Sequence, residues 1–357
     1  MVEPRAKLTS SAAISYYELS YQGSIRPSGS KMPRGSASLL SRRNGLPDSS
    51  TNERDDCFII LRAKIPSAHS RFPLMSDPSS GVRNVSDTAR WVAYFRALET
   101  RRPDALFRDP YAERLAGERG FQIANSLSQG NKHEWAWVAR TYLFDTFLSR
   151  EIQAGADLVL NLAAGLDARP YRMDVPSTLL WVEVDFPEII SYKQEILEND
   201  RPRCQLERIS LDLSDVAGRQ GLFASLNDRA KNIAVMSEGL LIYFTAKEVA
   251  ALARDLFTPA HFRSWIIDLA SPGQLKLMQR STGKQLSEAN AGFQFGPAEG
   301  AEFFRASGWE PKDIQGMLKT AAQFKRAPEE LLSLLPEPKK IPPHFPWTGV
   351  CLLEKPR

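Results

Sequence analysis

From residue 85 onward, apolar side chains recur first at helical spacing and then in short buried runs. That change of period marks the architecture. Trp91, Tyr94, Phe95 and Leu98 fall on one face of a helix for which Ser86 is the expected N-cap. Asp109-Pro-Tyr-Ala-Glu-Arg-Leu-Ala opens a second helix, with Pro110 suited to its first turn. A third is expected over about 133–152, turning Trp137, Val138, Leu143, Phe147 and Leu148 inward.

Short strands then alternate with helices. Asp157-Leu-Val-Leu-Asn-Leu162 and Leu179-Leu-Trp-Val-Glu-Val184 are continuous apolar runs, as expected of strands buried on both faces. Gln205–Ser210, Ile233–Ser237 and Ser264–Leu269 read as three more. Helices are expected from Pro187 to about Asn199, and after Thr245, which pairs with Glu248 as a capping box. Gly308-Trp-Glu and Trp347–Glu354 look like a closing pair of strands. Alternation of this kind predicts an α/β fold: a doubly wound, mostly parallel sheet with right-handed crossovers, preceded by extra helices.

Composition changes the picture only at the amino end. The 357 residues carry 46 basic and 42 acidic side chains, and a pI near 8.9 invites a nucleic-acid partner. The excess is not evenly spread. Residues 1–80 hold 11 basic and 7 acidic groups, whereas residues 81–357 hold 35 of each. The first 80 residues also contain 17 serines and 7 prolines, so this extension is expected to be disordered apart from a short strand at 57–62. Residues 1–47 loosely resemble an organelle transit peptide; the favoured alternative is that translation starts at Met75. The expected catalytic domain, 81–357, is neutral, which removes the case for nucleic acid.

Three widely spaced cysteines and four scattered histidines exclude a disulfide framework and argue against a metal site. No apolar run is long enough to span a bilayer, so a cytoplasmic protein is expected.

In an open α/β sheet, ligands bind beyond the carboxyl ends of the strands. The first strand ends in Ala163-Ala-Gly165, small residues that let a ligand approach the backbone. Asp185 closes the second, 20 residues after Gly165, where a carboxylate can accept both ribose hydroxyls. Asp212 follows the third and can take an adenine amino group, with Leu213 packing on the ring. Ser237-Glu238-Gly239 ends the fourth, beside the centre of the cleft. The pyrophosphate pattern G-x-G-x-x-G and a Walker lysine are both absent. An adenosine ligand without a pyrophosphate suits S-adenosylmethionine better than NAD.

Asn161-Leu-Ala-Ala-Gly-Leu-Asp-Ala-Arg-Pro-Tyr-Arg172, Trp181–Glu188 and Ser237-Glu-Gly-Leu-Leu-Ile-Tyr-Phe244 resemble the leucine carboxyl methyltransferase family. So do Val85–Ala89, Asp109–Ala112, Val138–Thr141 and Phe303–Trp309, over about residues 82–357. The likeness is to its bacterial branch of S-adenosylmethionine-dependent O-methyltransferases. It implies a seven-stranded, Rossmann-like class I methyltransferase fold. It also implies that Arg140 meets the cofactor carboxylate, Gly165 is the glycine of the first cofactor-binding loop, Asp185 binds the ribose, Asp212 and Leu213 contact the adenine, and Glu238 lies near the amino group. Relatives commonly carry glycine where Ala163 stands, so φ there is expected to be negative.

Each residue also has a plainer role open to it. Asp185 can cap the next helix, and Glu238 can be a solvated loop carboxylate. Arg140 can pair with Glu134, and Arg169 and Arg172 can brace the loop through Asp167 and Asp174. Trp91, Tyr94, Phe95, Trp135 and Trp137 read as packing core, while Tyr243 is the best aromatic for an acceptor pocket. The helices at 85–152 and the insertion at about 272–300 are expected to form a lid. The acceptor is expected to be a small molecule bearing a carboxylate or hydroxyl, and no catalytic acid or base stands out. An NAD-dependent oxidoreductase and a non-catalytic adenosylmethionine-binding scaffold are the rival readings.

Overall fold

The computed structural model describes residues 85–126, 134–288, 292–327 and 342–356, with the backbone alone at 85, 86, 126 and 281–288. The expected strand at 57–62, and the rest of the extension to residue 80, lie outside these residues.

Among the described residues three helices come first, α1 (Val85–Thr100), α2 (Ala112–Ser126) and α3 (Glu134–Gln153). The alternating part follows: β1 (Leu158–Leu162), the single turn α4 (Arg169–Arg172), β2 (Leu180–Asp185), α5 (Pro187–Ile196), β3 (Gln205–Ser210), α6 (Val216–Arg229) and β4 (Ile233–Ser237). The chain continues through α7 (Ala246–Phe257), β5 (Phe262–Ala270), α8 (Pro272–Glu288), β6 (Glu310–Gly316), α9 (Met317–Gln323) and β7 (Thr348–Glu354). The seven strands stand in the order β3-β2-β1-β4-β5-β7-β6. β1 pairs in parallel with both β2 and β4, while β7 runs antiparallel between β5 and β6.

Burial explains why the central strands read so clearly. Every residue of β1 and of β4 is buried, so neither strand needs a polar face. Alternate side chains feed two layers. Leu158, Leu160 and Leu162 point to the side covered by α6 and α7, where Phe223, Leu226, Val249, Leu252 and Leu256 meet them. Val159 points to the other side, against Leu143, Phe144, Phe147 and Leu148 of α3. Trp265 of β5 packs against Phe304 and Trp309 at ring separations of 5.4 and 5.9 Å. The two outermost strands, β3 and β6, carry charged and half-exposed side chains, which protects the sheet edges.

Two boundary expectations change. The described part of α1 already includes Val85, which places Ser86 within the helix rather than at its N-cap position. α2 begins at Ala112, so Pro110 stands in the turn before it rather than in its first helical turn, and the Asp109 carboxylate accepts the Tyr111 amide there at 3.2 Å. At α7 the expected capping box forms between Thr245 and Glu248.

Because β2 lies on one side of β1 and β4 on the other, the chain reverses its winding direction between β1 and β4. The loops after these two strands therefore open a crevice at the carboxyl edge of the sheet.

Candidate functional site

The loop after β1 is built by backbone geometry that its sequence does not announce. Ala163 has φ +53° and Gly165 φ +51°, two left-handed residues flanking Ala164. The negative φ expected at Ala163 is thus corrected. The tight exit from a fully buried strand imposes the turn, which is held by the Ala164 amide donating to Val184 O at 3.1 Å. A non-glycine residue in this region costs about 1 kcal/mol. Glycine would remove that strain but lose about as much through extra freedom in the unfolded chain. Ala163→Gly is therefore expected to shift unfolding free energy by less than about 0.5 kcal/mol, measured by urea denaturation, whereas Ala163→Val should cost clearly more.

Asp185 closes this loop. Its Oδ2 accepts the Gly165 amide at 2.6 Å and its Oδ1 the Phe186 amide at 2.7 Å. The helix-cap alternative fails, because Phe186 occupies the N-cap position of α5 and no side chain caps it. Burial pushes the Asp185 pKa up, and the two amides oppose that rise. Each carboxylate oxygen still has a lone pair to offer. Gly165 also faces Ala89 of α1, 3.6 Å from where a Cβ would stand, so the amino-terminal part of α1 borders the loop.

Across the crevice sits Arg140, buried on the inner face of α3. It does not pair with Glu134. Its Nε donates to Glu238 Oε1 at 3.1 Å and its Nη1 to Asp268 Oδ2 at 3.3 Å. Glu238, far from being a solvated loop carboxylate, also meets Arg169 through Oε2 at 2.8 Å. The guanidinium of Arg140 stands over the Trp137 ring, 4.8 Å from its centroid.

Beneath both loops runs a chain of buried charges. Arg169 joins Asp145 at 2.6 Å, Asp167 at 3.0 Å and Glu238. The expected Arg169–Asp167 brace therefore exists. Arg172 instead reaches Asp145 and Asp109, not Asp174. Arg96 of α1 then closes the series on Asp109 at 2.8 Å. Burial alone would raise the Asp167 pKa, but Arg169 above all, helped by Lys193, Arg172 and Arg96, holds it at about 2.

The remaining candidates are less tightly joined. Asp212 is exposed and accepts the Ser214 amide at 2.8 Å, while Leu213 is buried in the core beside it. Tyr243 ends a short 3₁₀ turn, shares a hydrogen bond with Thr88 of α1, and lies 5.5 Å from the Phe293 ring. Burial raises the Tyr243 pKa, so its phenol stays protonated as a donor.

Asp145, Asp268 and Phe186 escaped sequence reasoning. The first two are ordinary polar letters inside a helix and a strand. Phe186, 40% exposed directly after Asp185, could have been flagged as a large apolar side chain at a strand end. Among the described residues, no histidines, cysteines or carboxylates gather as a metal site, and no helix is long and apolar enough to cross a membrane.

Comparison with known proteins gives the chain its family and its fold relatives. The sequence profile of leucine carboxyl methyltransferase matches residues 89–257. An inferred S-adenosyl-L-methionine-dependent methyltransferase of Mycolicibacterium paratuberculosis is 37% identical over 177 residues, covering 46% of this chain and 58% of that protein. Another, from Mycobacterium sp. strain KMS, is 30% identical over 262 residues, covering 66% of this chain and 86% of the relative. The crystal structure of a DUF574 family protein from Streptomyces avermitilis shares the fold at a TM-score of 0.50 and 13% identity, over 75% of this chain and 97% of that one. The chain belongs to the leucine carboxyl methyltransferase family, in its bacterial branch of S-adenosylmethionine-dependent methyltransferases.

Proposed function

We propose that the protein transfers a methyl group to an oxygen, carboxylate or hydroxyl, of a small molecule, with neither nucleic acid nor membrane as partner. One observation carries this reading. The crevice has a carboxylate with spare lone pairs at one end, Asp185, and a guanidinium beside a carboxylate at the other, Arg140 with Glu238.

That donor set fits S-adenosylmethionine. Asp185 would accept the ribose hydroxyls. Gly165 and Ala163, both at left-handed φ, would give backbone access. Asp212 would accept from the adenine amino group, with Leu213 and the Phe186 ring against the base. Arg140 would pair with the cofactor carboxylate and Glu238 with its ammonium. When bound, the cofactor supplies a methyl on a sulfonium, a group already activated for in-line displacement.

The residues therefore contribute proximity and alignment more than acid–base chemistry. Tyr243 would line the acceptor side, offering a neutral O–H donor. A carboxylate acceptor needs no base at neutral pH, and none is assigned. The helices before β1 and the 272–300 segment would cover the acceptor as a lid, within a cytoplasmic methyltransferase domain of residues 81–357.

Isothermal calorimetry tests the cofactor half of this reading. S-adenosylhomocysteine should bind the purified protein and NAD should not; NAD binding alone would replace this reading with hydride transfer.

A further inference from the structure

Arg140 is buried, and Glu238 alone does not neutralise it, because that carboxylate is divided between two guanidinium groups. Oε1 serves Arg140 at 3.1 Å and Oε2 serves Arg169 at 2.8 Å. The second carboxylate comes from Asp268 on β5, 128 positions along the chain from Arg140. It also lies beyond the 89–257 segment matched by the family profile.

Asp268 performs two jobs at once. Its Oδ2 receives Arg140 Nη1 at 3.3 Å, and its Oδ1 accepts the Gly239 amide at 2.7 Å. Gly239 has φ +71°, and a Cβ there would stand only 3.2 Å from Arg140 Nη1. The turn that carries Glu238 is thus packed directly on the guanidinium, and Asp268 ties the two together. With Nε and Nη1 so held, Nη2 makes no hydrogen bond among the described residues and remains to donate.

We propose that Asp268 is a positioning residue for the methionine end of the cofactor, fixing Arg140 and the Glu238-Gly239 turn in one arrangement. This rests on the assignment of Arg140 and Glu238 to that end of the ligand. Among the described residues Asp268 makes its hydrogen bonds to Arg140 and Gly239, and none to Asp185 or Gly165, the residues assigned to the adenosine end.

Calorimetry with two ligands tests it: S-adenosylhomocysteine, and 5′-methylthioadenosine, which lacks the amino-acid portion. Asp268→Ala should weaken S-adenosylhomocysteine at least about tenfold and leave 5′-methylthioadenosine within about twofold. Asp268→Asn keeps the size and an acceptor for the Gly239 amide while losing the charge, and should show the same selective loss even where the alanine variant folds poorly. Asp268→Glu should recover part of it. Equal weakening of both ligands would reveal a general folding role and overturn the proposal, as would unchanged S-adenosylhomocysteine binding. Failure of the unmodified protein to bind either ligand would overturn the cofactor assignment itself, and this inference with it.

Discussion

Replacing Asp185 with alanine should weaken S-adenosylhomocysteine binding by about 100-fold or more, the largest functional loss expected from a single substitution. Two hydrogen bonds from ribose hydroxyls to a charged acceptor contribute about 1.5 kcal/mol or more each, so about 3 kcal/mol is removed. The substitution also strips the acceptor from the Gly165 and Phe186 amides, which hold the loop after β1 in its turn. Binding of 5′-methylthioadenosine should fall alongside, because the lost group serves the adenosine half. Calorimetry on a variant whose melting curve stays cooperative would check this. Undiminished binding would remove Asp185 from the site.

The largest stability effect is expected at Arg169. It is 2% exposed and meets three carboxylates, those of Asp145, Asp167 and Glu238. Arg169→Ala leaves all three short of a partner in a buried setting, and breaking one side of such an arrangement costs about 3–5 kcal/mol. Thermal unfolding should shift down by about 10 °C for a domain of this size.

Acid stability should change as well. Asp167 sits well below its unfolded value, so it contributes stability that is complete above about pH 4 and lost as pH falls through about 2. The contribution is about 2 kcal/mol. Asp185 and Asp268 work in the opposite sense, since burial raises both and their charged forms cost stability as pH rises. Without Arg169, Asp167 loses its chief counter-charge and the acid transition should move to higher pH. An unchanged acid midpoint in Arg169→Ala would show that the network does not set it.

Much of the sheet was legible because strands buried on both faces must be apolar throughout. Ile233–Ser237 matches its expected limits, and β1 and β2 differ from theirs by single residues at the ends; the edge strand Gln205–Ser210, half-exposed and partly charged, was legible from alternation instead. The capping box at Thr245 was equally plain, since its two partners are three residues apart. Asp185 was legible from position, as a carboxylate ending a buried strand 20 residues after Gly165.

What stayed hidden depends on long-range pairing. Arg140 and Asp268 are 128 residues apart, and no local pattern distinguishes Asp268 from a solvated strand carboxylate. Arg172 was expected to use Asp174, its sequence neighbour. It reaches Asp145 instead because α4 packs against α3. Ala163 misled for another reason: side-chain identity argues for negative φ, and the turn between β1 and the Asp185 carboxylate overrides it.

Methyl transfer itself tests the proposed activity. The purified protein should be incubated with methyl-tritiated S-adenosylmethionine and a panel of small carboxylic acids and phenols, and the products separated. Label is expected on an acceptor oxygen, base-labile as a methyl ester or base-stable as an aryl methyl ether, with loss of transfer in Asp185→Ala. Label confined to nitrogen or carbon acceptors would contradict O-methyl transfer, and firm cofactor binding with no transfer to any extract component would leave only a binding scaffold.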